Sequence, residues 1–548
     1  MKKLGAIAIS AMLTVGLSAQ AAPALSDMPT GWAKQAMERA VENGLMQGSG
    51  NKIYPDKPLT RAEAAEVLTR AFGAQQESGL DGYLDVGQGD WYDAALAKAV
   101  QMGVFTGDDQ RLYPLRNITR EEAFVVLSRA FGLEDGETTV LNRFADGSAV
   151  SSWARPQLSG LVSGGYVSGS EGRLRPQASI TRAEFAQLVS NLTEQFIRTS
   201  GEYSDIKIDG NLLIAASDVV LKNASVNGDL ILGDGIGAGE VTLDNVTVQG
   251  RLVVRGGGTD SVYLKQGQIK GGVVIQNRNH AVRLAVSEGA QVGEIAVKSD
   301  FVLDGDAGKV TLESPVKFWA RSGSVATLNV SSAAAGSMLS IEKGASVGAM
   351  VAMGQATVEG NGKVQQIRVQ ANDVKIAVPG ARVEVASGVT GVKAGGVSVE
   401  PGKTVTVKDS GTGHVETSIG GSSGGGNSGG GSSGGGETPD PSLTKTTGDW
   451  VNVAKTGIVQ VDFLNYAAVA LKLAEMDGAD FAQYDFYIGD VKQEIGKDVT
   501  KVMTSQDGTE LIVKILLKNN SKPQTLRIVK NKEYMQIALN DLGISVKA

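Results

Sequence analysis

Three arginines stand where chemistry could be done. Arg61, Arg120 and Arg182 lie in the tetrads Thr60-Arg61-Ala62-Glu63, Thr119-Arg120-Glu121-Glu122 and Thr181-Arg182-Ala183-Glu184. Threonine at an N-cap with glutamate three residues later is a capping box, in which each side chain satisfies a backbone N–H at a helix start. That assigns Thr60, Glu63, Thr119, Glu122, Thr181 and Glu184 a structural role. It leaves the arginines over, because a cation in the first helical turn opposes the helix dipole at a cost of ~0.3–1 kcal/mol. Two readings stand for them. A guanidinium fork beside free helix-start N–H groups makes a carboxylate or phosphate site. Alternatively, each arginine forms a salt bridge between helices of a bundle.

The elements that must position these residues are repeats, spanning 25–74, 82–133 and 143–193. Trp32, Trp91 and Trp153 each precede the motif threonine by 28 residues. Gly44, Gly103 and Gly165 lie 12 residues after the tryptophan, Gly48, Gly107 and Gly169 lie 16 after it, and Pro55, Pro114 and Pro176 lie 23 after it. Each unit reads as helix, loop, helix. In the first, Ala33, Ala36, Met37 and Ala40 recur at helical spacing, Gly44 supplies a left-handed C′ residue, and Pro55 blocks helix in the loop. Ala65, Val67, Leu68 and Phe72 give the second helix its apolar positions. One unit is too small to bury its apolar face, so three must pack together. A lone tryptophan is ordinarily core; beside an anion site an indole also stacks on a sugar ring.

With these motifs the chain resembles the S-layer homology (SLH) domains of bacterial surface proteins, which usually occur as three tandem repeats. The resemblance implies a surface protein of a Bacillales-like Gram-positive bacterium. It also implies a pseudo-threefold helical bundle whose inter-repeat grooves bind a peptidoglycan-linked secondary cell wall polymer, an anionic glycan often carrying a pyruvate ketal. Carried over residue by residue, it points to Arg61, Arg120 and Arg182 as contacts to the acidic sugar and to Trp32, Trp91 and Trp153 as groove walls. The chain departs from the pattern at Glu121, where the other copies have alanine. It departs again at Leu25-Ser26-Asp27-Met28, against Tyr83-Leu84-Asp85-Val86, and at Arg175, where the others have Tyr54 and Tyr113. One groove is therefore expected to be weak or unused.

The remainder of the chain sets the context. Residues 1–21 read as a signal peptide, with Lys2 and Lys3, an apolar stretch from Leu4 to Leu17, and the small-x-small site Ala19-Gln20-Ala21. That stretch is too short to span a bilayer, and no later segment offers a span. The chain has no cysteine and only two histidines, His280 and His414, so disulfides, thiolate sites and a histidine-rich metal site are excluded and no cofactor or metal is expected. Its net charge of −7 argues against a nucleic-acid partner.

The 72 glycines among 548 residues exceed the usual ~7% and concentrate beyond the repeats. Over 204–410, runs of Val, Ile and Leu alternate with polar residues and recur with a regular step: Leu230-Ile231-Leu232, Leu252-Val253-Val254 and Val273-Val274-Ile275 follow Gly228, Gly250 and Gly271. The steps between these glycines are 22 and 21 residues. The regular period favours a parallel β-helix-like solenoid over a sandwich. Glycines would supply its corner conformations, and Asn223 and Asn245, one coil apart, would stack. Such folds also host polysaccharide-cleaving enzymes, but Asp234, Asp304 and Asp306 sit in Gly-flanked turns where aspartate is common. A stalk or an association surface, self-association included, is expected rather than catalysis.

Residues 420–441 form a Gly/Ser/Pro linker, whose Gly–Ser part has a reach of roughly 20–25 Å. A small β-rich domain over 446–548 follows, with a helical or mixed stretch from Ala467 to Asp480 and tyrosines at 466, 484, 487 and 534 that are either core or an interaction surface. The sequence thus describes an exported protein, anchored to the cell wall by its repeats. It projects a β-solenoid and displays a C-terminal module to an extracellular ligand. The rival readings are an SLH-anchored polysaccharide-active enzyme and an S-layer structural subunit.

Overall fold

The computed structural model describes residues 25–408, apart from 88 and 288, and beyond them the backbone of strands between 416 and 538. The expected signal peptide at 1–21 and the linker at 420–441 lie outside the described residues.

The three repeats form six α-helices, two from each repeat: α1 (Lys34–Glu42) and α2 (Arg61–Phe72), α3 (Asp93–Gln101) and α4 (Arg120–Phe131), α5 (Arg155–Ser163) and α6 (Arg182–Leu192). They pack across the repeat boundaries, α2 on α3, α4 on α5 and α6 back on α1. All three capping boxes form, with the N-cap threonine accepting from the glutamate N–H and the glutamate side chain accepting from the threonine N–H. Gly44, Gly103 and Gly165 are left-handed, with φ of 65°, 69° and 76°, so the first helix of each repeat ends where the glycine stands. The repeats close into a ring at their centre. Leu59 N–H donates to Ile180 O, Ile180 N–H to Ile118 O, and Ile118 N–H to Leu59 O, with all three side chains fully buried. Phe72, Phe105, Phe124, Phe131 and Phe185 fill the bundle core, Phe72 meeting Phe131 edge to face at 5.1 Å.

The helical core runs straight into a β-solenoid, whose first strand is Gln195–Ile197. Its coils stack in parallel. Leu212 lies on Leu230, Leu230 on Leu252, Leu252 on Val273 and Val273 on Ile295, steps of 18, 22, 21 and 22 residues. Inward side chains make one continuous core from Ile197 to Val407. Asn223 and Asn245 do stack, Asn245 Nδ2 donating to Asn223 Oδ1 at 2.9 Å. The periodic glycines serve another purpose than expected. Gly228, Gly250 and Gly271 do not have positive φ; they are needed for space, because a Cβ on Gly250 would lie 2.6 Å from Gly228 O and one on Gly271 2.5 Å from Gly250 O. Left-handed positions are taken by other glycines, as expected, among them Gly237, Gly267 and Gly323 with φ of 57°, 87° and 81°, and also by Asn223 and Asn245 with φ of 47° and 54°. At the far end the pattern reverses: Arg382–Val385 pairs antiparallel with Thr404–Thr406, and Lys393–Ala394 with Val397–Ser398.

The solenoid does not simply project away from the bundle. Leu213, Ile231, Val253 and Val274, the outward middle residues of four successive three-residue strands, are 0–6% exposed and belong to the helical core. Polar ladders reinforce this seam. Arg255 pairs with Asp234 at 2.7 Å and donates to Met102 O at 3.0 Å, at the end of α3, while Arg251 pairs with Asp229 and donates to Gly132 O at 2.7 Å, at the end of α4. Cations at helix C-termini complement the helix dipole.

The C-terminal unit, taken by itself, contains two sheets. One joins Val451–Val461, Leu464–Leu473, Leu511–Leu516 and Val502–Thr504 antiparallel. The other joins Thr444–Lys445, Glu533–Ala538, Thr525–Lys530, Asp485–Ile488 and Val491–Gln493. Where a helical or mixed stretch was expected from Ala467, the chain is a strand to Leu473: alanines raise local helix propensity, but a partner strand on either side overrides it. The side chains of the four tyrosines lie outside the described residues.

Candidate functional site

Each motif arginine reaches out of its own repeat into the next, in a cycle. Arg61 Nε donates to Leu112 O at 2.8 Å and Nη2 to Thr106 O at 3.4 Å. Arg120 Nε donates to Leu174 O at 2.8 Å. Arg182 Nε donates to Ile53 O and Nη2 to Gln47 O, both at 2.8 Å, which returns the cycle to the first repeat. Arg61 and Arg182 are 7% and 8% exposed. Burial pushes both guanidinium pKa values down, although Glu122 opposes this at Arg61 and Glu63 at Arg182.

The helix starts carry no vacant N–H groups for an anion. Arg61 N–H donates to Arg116 O and Ala62 N–H to Pro114 O. Arg120 N–H donates to Ala178 O and Glu121 N–H to Pro176 O. Arg182 N–H donates to Lys57 O and Ala183 N–H to Pro55 O. The repeat prolines thus present carbonyls to the neighbouring helix start, and the capping threonine takes the third N–H. This corrects the helix-terminus part of the anion reading and leaves the guanidinium edges as the available donors.

Those edges differ in their charge balance. Arg61 Nη1 lies 3.5 Å from Glu122, whose carboxylate also pairs with Arg116. Arg120 Nη1 is held by Glu184 at 2.6 Å. Arg182 has no ion pair among the described residues, because Glu63 pairs instead with Lys57 at 3.1 Å. Glu121, the departure in the second repeat, is 3% exposed and accepts from Ser151 N, Ser151 Oγ and Gln177 Nε2 at 3.0, 2.7 and 2.8 Å. It ties the second repeat to the third beside the arginine that is already neutralised.

The tryptophans are not core. Trp32, Trp91 and Trp153 are 67%, 59% and 52% exposed. A cleft of about 430 Å³ assembles Arg61 from the first repeat, Thr106, Tyr113, Arg116, Glu122 and Arg129 from the second, and Trp153 from the third. An exposed indole and a set of guanidinium groups therefore line one cleft, an arrangement suited to an acidic sugar: ring face on indole, anion on cations.

A further triplet was visible in the sequence without its role. Asp27 accepts from the N–H groups of Ile53 and Tyr54, Asp85 from Leu112 and Tyr113, and Asp146 from Leu174 and Arg175. These carboxylates hold Tyr54, Tyr113 and Arg175 at φ of 54°, 51° and 51°, so Arg175 keeps the backbone of the tyrosines it replaces. The three solenoid acids singled out earlier are likewise committed. Asp234 binds Arg255, Asp304 binds Arg283 and Ser322, and Asp306 accepts from Ser324.

Residues 24–65, 82–124 and 143–186 match the S-layer homology domain. The chain is 37% identical over 197 residues to a surface-layer 125 kDa protein of Lysinibacillus sphaericus, a match covering 34% of this chain and 16% of that protein. It is 30% identical over 175 residues to an amylopullulanase of Thermoanaerobacterium thermosulfurigenes, covering 31% of this chain and 9% of the relative. It is 24% identical over 260 residues to an S-layer protein of Bacillus licheniformis, covering 46% of this chain and 28% of the relative. The chain thus spans only a minor part of each of these relatives.

Proposed function

Three S-layer homology domains make the chain a secreted cell-surface protein, and from that premise we propose that its helical bundle anchors it non-covalently to an anionic secondary cell wall polymer. The polymer binds through the grooves between repeats. The observation that carries this reading is the cleft in which Arg61 and Trp153, from different repeats, face the same space. A hydrogen bond to a charged group is worth ~1.5–3 kcal/mol, so one groove binds modestly and several on one polymer gain avidity. The grooves are unequal: that of Arg182 offers the least compensated cation and that of Arg120 the most. The pyruvate ketal implied by the resemblance is a ligand that would suit such sites. The solenoid and C-terminal module serve display rather than catalysis, a reading supported by the commitment of Asp234, Asp304 and Asp306 to structural partners.

Binding of the full chain to purified cell walls tests the reading. Arg182→Ala weakens binding most, Arg61→Ala less and Arg120→Ala least, and the triple variant fails to sediment with walls while its helical circular dichroism persists. A folded triple variant that sediments like the wild type would overturn the proposal.

A further inference from the structure

A second cavity, of about 300 Å³, opens where the bundle meets the solenoid and lies outside the inter-repeat cleft. Its wall has unspent polar groups. Ser128 Oγ, Gln157 Oε1 and Gln276 Nε2 are buried without a hydrogen-bond partner, and Ser128 is 1% exposed. An unsatisfied buried polar atom costs ~1–3 kcal/mol, so three on one wall call for an explanation. Its charge is also one-sided. Arg255 is spent on Asp234, but Arg129 and Arg278 have no carboxylate partner among the described residues; Lys298 shares Glu313 at 3.6 Å, and Asp135 is the acid in the lining. Two glycines leave the space the solenoid side chains use. A Cβ on Gly103 would lie 1.6 Å from Arg278 Nη1, and one on Gly132 2.6 Å from Gln276 Nε2. Arg129 lines this cavity and the cleft of Arg61 and Trp153 alike.

We propose that this cavity is an additional subsite for the acidic wall glycan, taking a sugar carboxylate among Arg129, Arg278 and Lys298 and sugar hydroxyls on Ser128, Gln157 and Gln276. The solenoid is then part of the anchor and not only its cargo. The proposal rests on the groove reading above for the class of ligand. The volume, at the lower end of the ~300–1,000 Å³ of ligand pockets, fits one substituted sugar rather than a length of chain.

The test is equilibrium binding of the full chain to carboxylate-bearing oligosaccharides released from purified cell walls, with carboxyl-reduced oligosaccharides as control. The Arg278→Gln/Lys298→Gln variant changes exposed side chains and is expected to keep the wild-type melting temperature. It is expected to weaken binding about tenfold, equivalent to about 1.4 kcal/mol, and to bind the reduced oligosaccharides as the wild type does. Ser128→Ala removes an unpartnered hydroxyl, so it weakens binding without lowering the melting temperature. Binding within twofold of wild type in both variants, while Arg61→Ala still loses affinity, overturns the subsite and leaves the groove reading standing. Loss in Arg278→Gln/Lys298→Gln with none in Arg61→Ala/Arg182→Ala supports the subsite and overturns the groove reading instead.

Discussion

Asp27, Asp85 and Asp146 show how single carboxylates fix the grooves: each clamps two consecutive N–H groups and holds a non-glycine residue in the left-handed region. At Asp146 burial pushes the carboxyl pKa up, but the N–H groups of Leu174 and Arg175 outweigh it and hold the pKa below the usual carboxylate range; Asp27 behaves likewise with Ile53 and Tyr54. A lowered folded pKa means that the ionised form stabilises. That stabilisation is complete above the ordinary value of ~3.9 and is lost as pH falls through the lower folded values. The bundle is therefore expected to hold a constant melting temperature from pH 7 to about 5 and to lose stability below about pH 4. Asp146→Asn should cost roughly 1 kcal/mol at pH 7 and flatten part of that acid limb, as read by thermal denaturation across pH. An unchanged acid limb would remove Asp146 from this role. The capping boxes were legible because they are local, three residues from end to end. The partners of the arginines were not: Arg61 bonds a residue 51 positions away and Arg182 one 129 away, separations that only the closed ring of repeats brings together.

For the elements, the solenoid's period was legible, but its physical cause was not. Gly228, Gly250 and Gly271 step regularly because backbone stacks on backbone at that corner, leaving no room for a side chain. Gly250→Ala is accordingly expected to destabilise by ~1–3 kcal/mol, since the Gly228 carbonyl and the Asp229 carboxylate, itself held by Arg251, must both give way. Gly293→Ala, where an added Cβ meets nothing within 4 Å, should stay within ~0.5 kcal/mol of wild type. Equal effects in urea denaturation would contradict the stacking account. The strand from Leu464 to Leu473 illustrates the opposite limit: an alanine-containing run became β because of partners distant in sequence.

In the whole molecule, the bundle and the first coils share one buried core. The signal was present in the triplets Leu212-Leu213-Ile214, Leu230-Ile231-Leu232, Leu252-Val253-Val254 and Val273-Val274-Ile275. A strand apolar on both faces is one buried on both faces, and the bundle is what covers the second face. Arg255→Ala leaves Asp234 buried without its cation and frees carbonyls at the ends of α3 and α4, a loss of about 3–5 kcal/mol. It should lower the unfolding of helices and strands together in circular dichroism; separate transitions would show the seam to be weak. Anchoring by the exposed face of the bundle remains the central claim, and Trp32, Trp91 and Trp153 test it most directly because their exposure lets them be changed without disturbing the core. In co-sedimentation of the full chain with purified cell walls, Trp32→Ala/Trp91→Ala/Trp153→Ala is predicted to remain in the supernatant with a wild-type melting temperature. Sedimentation equal to wild type would contradict the account.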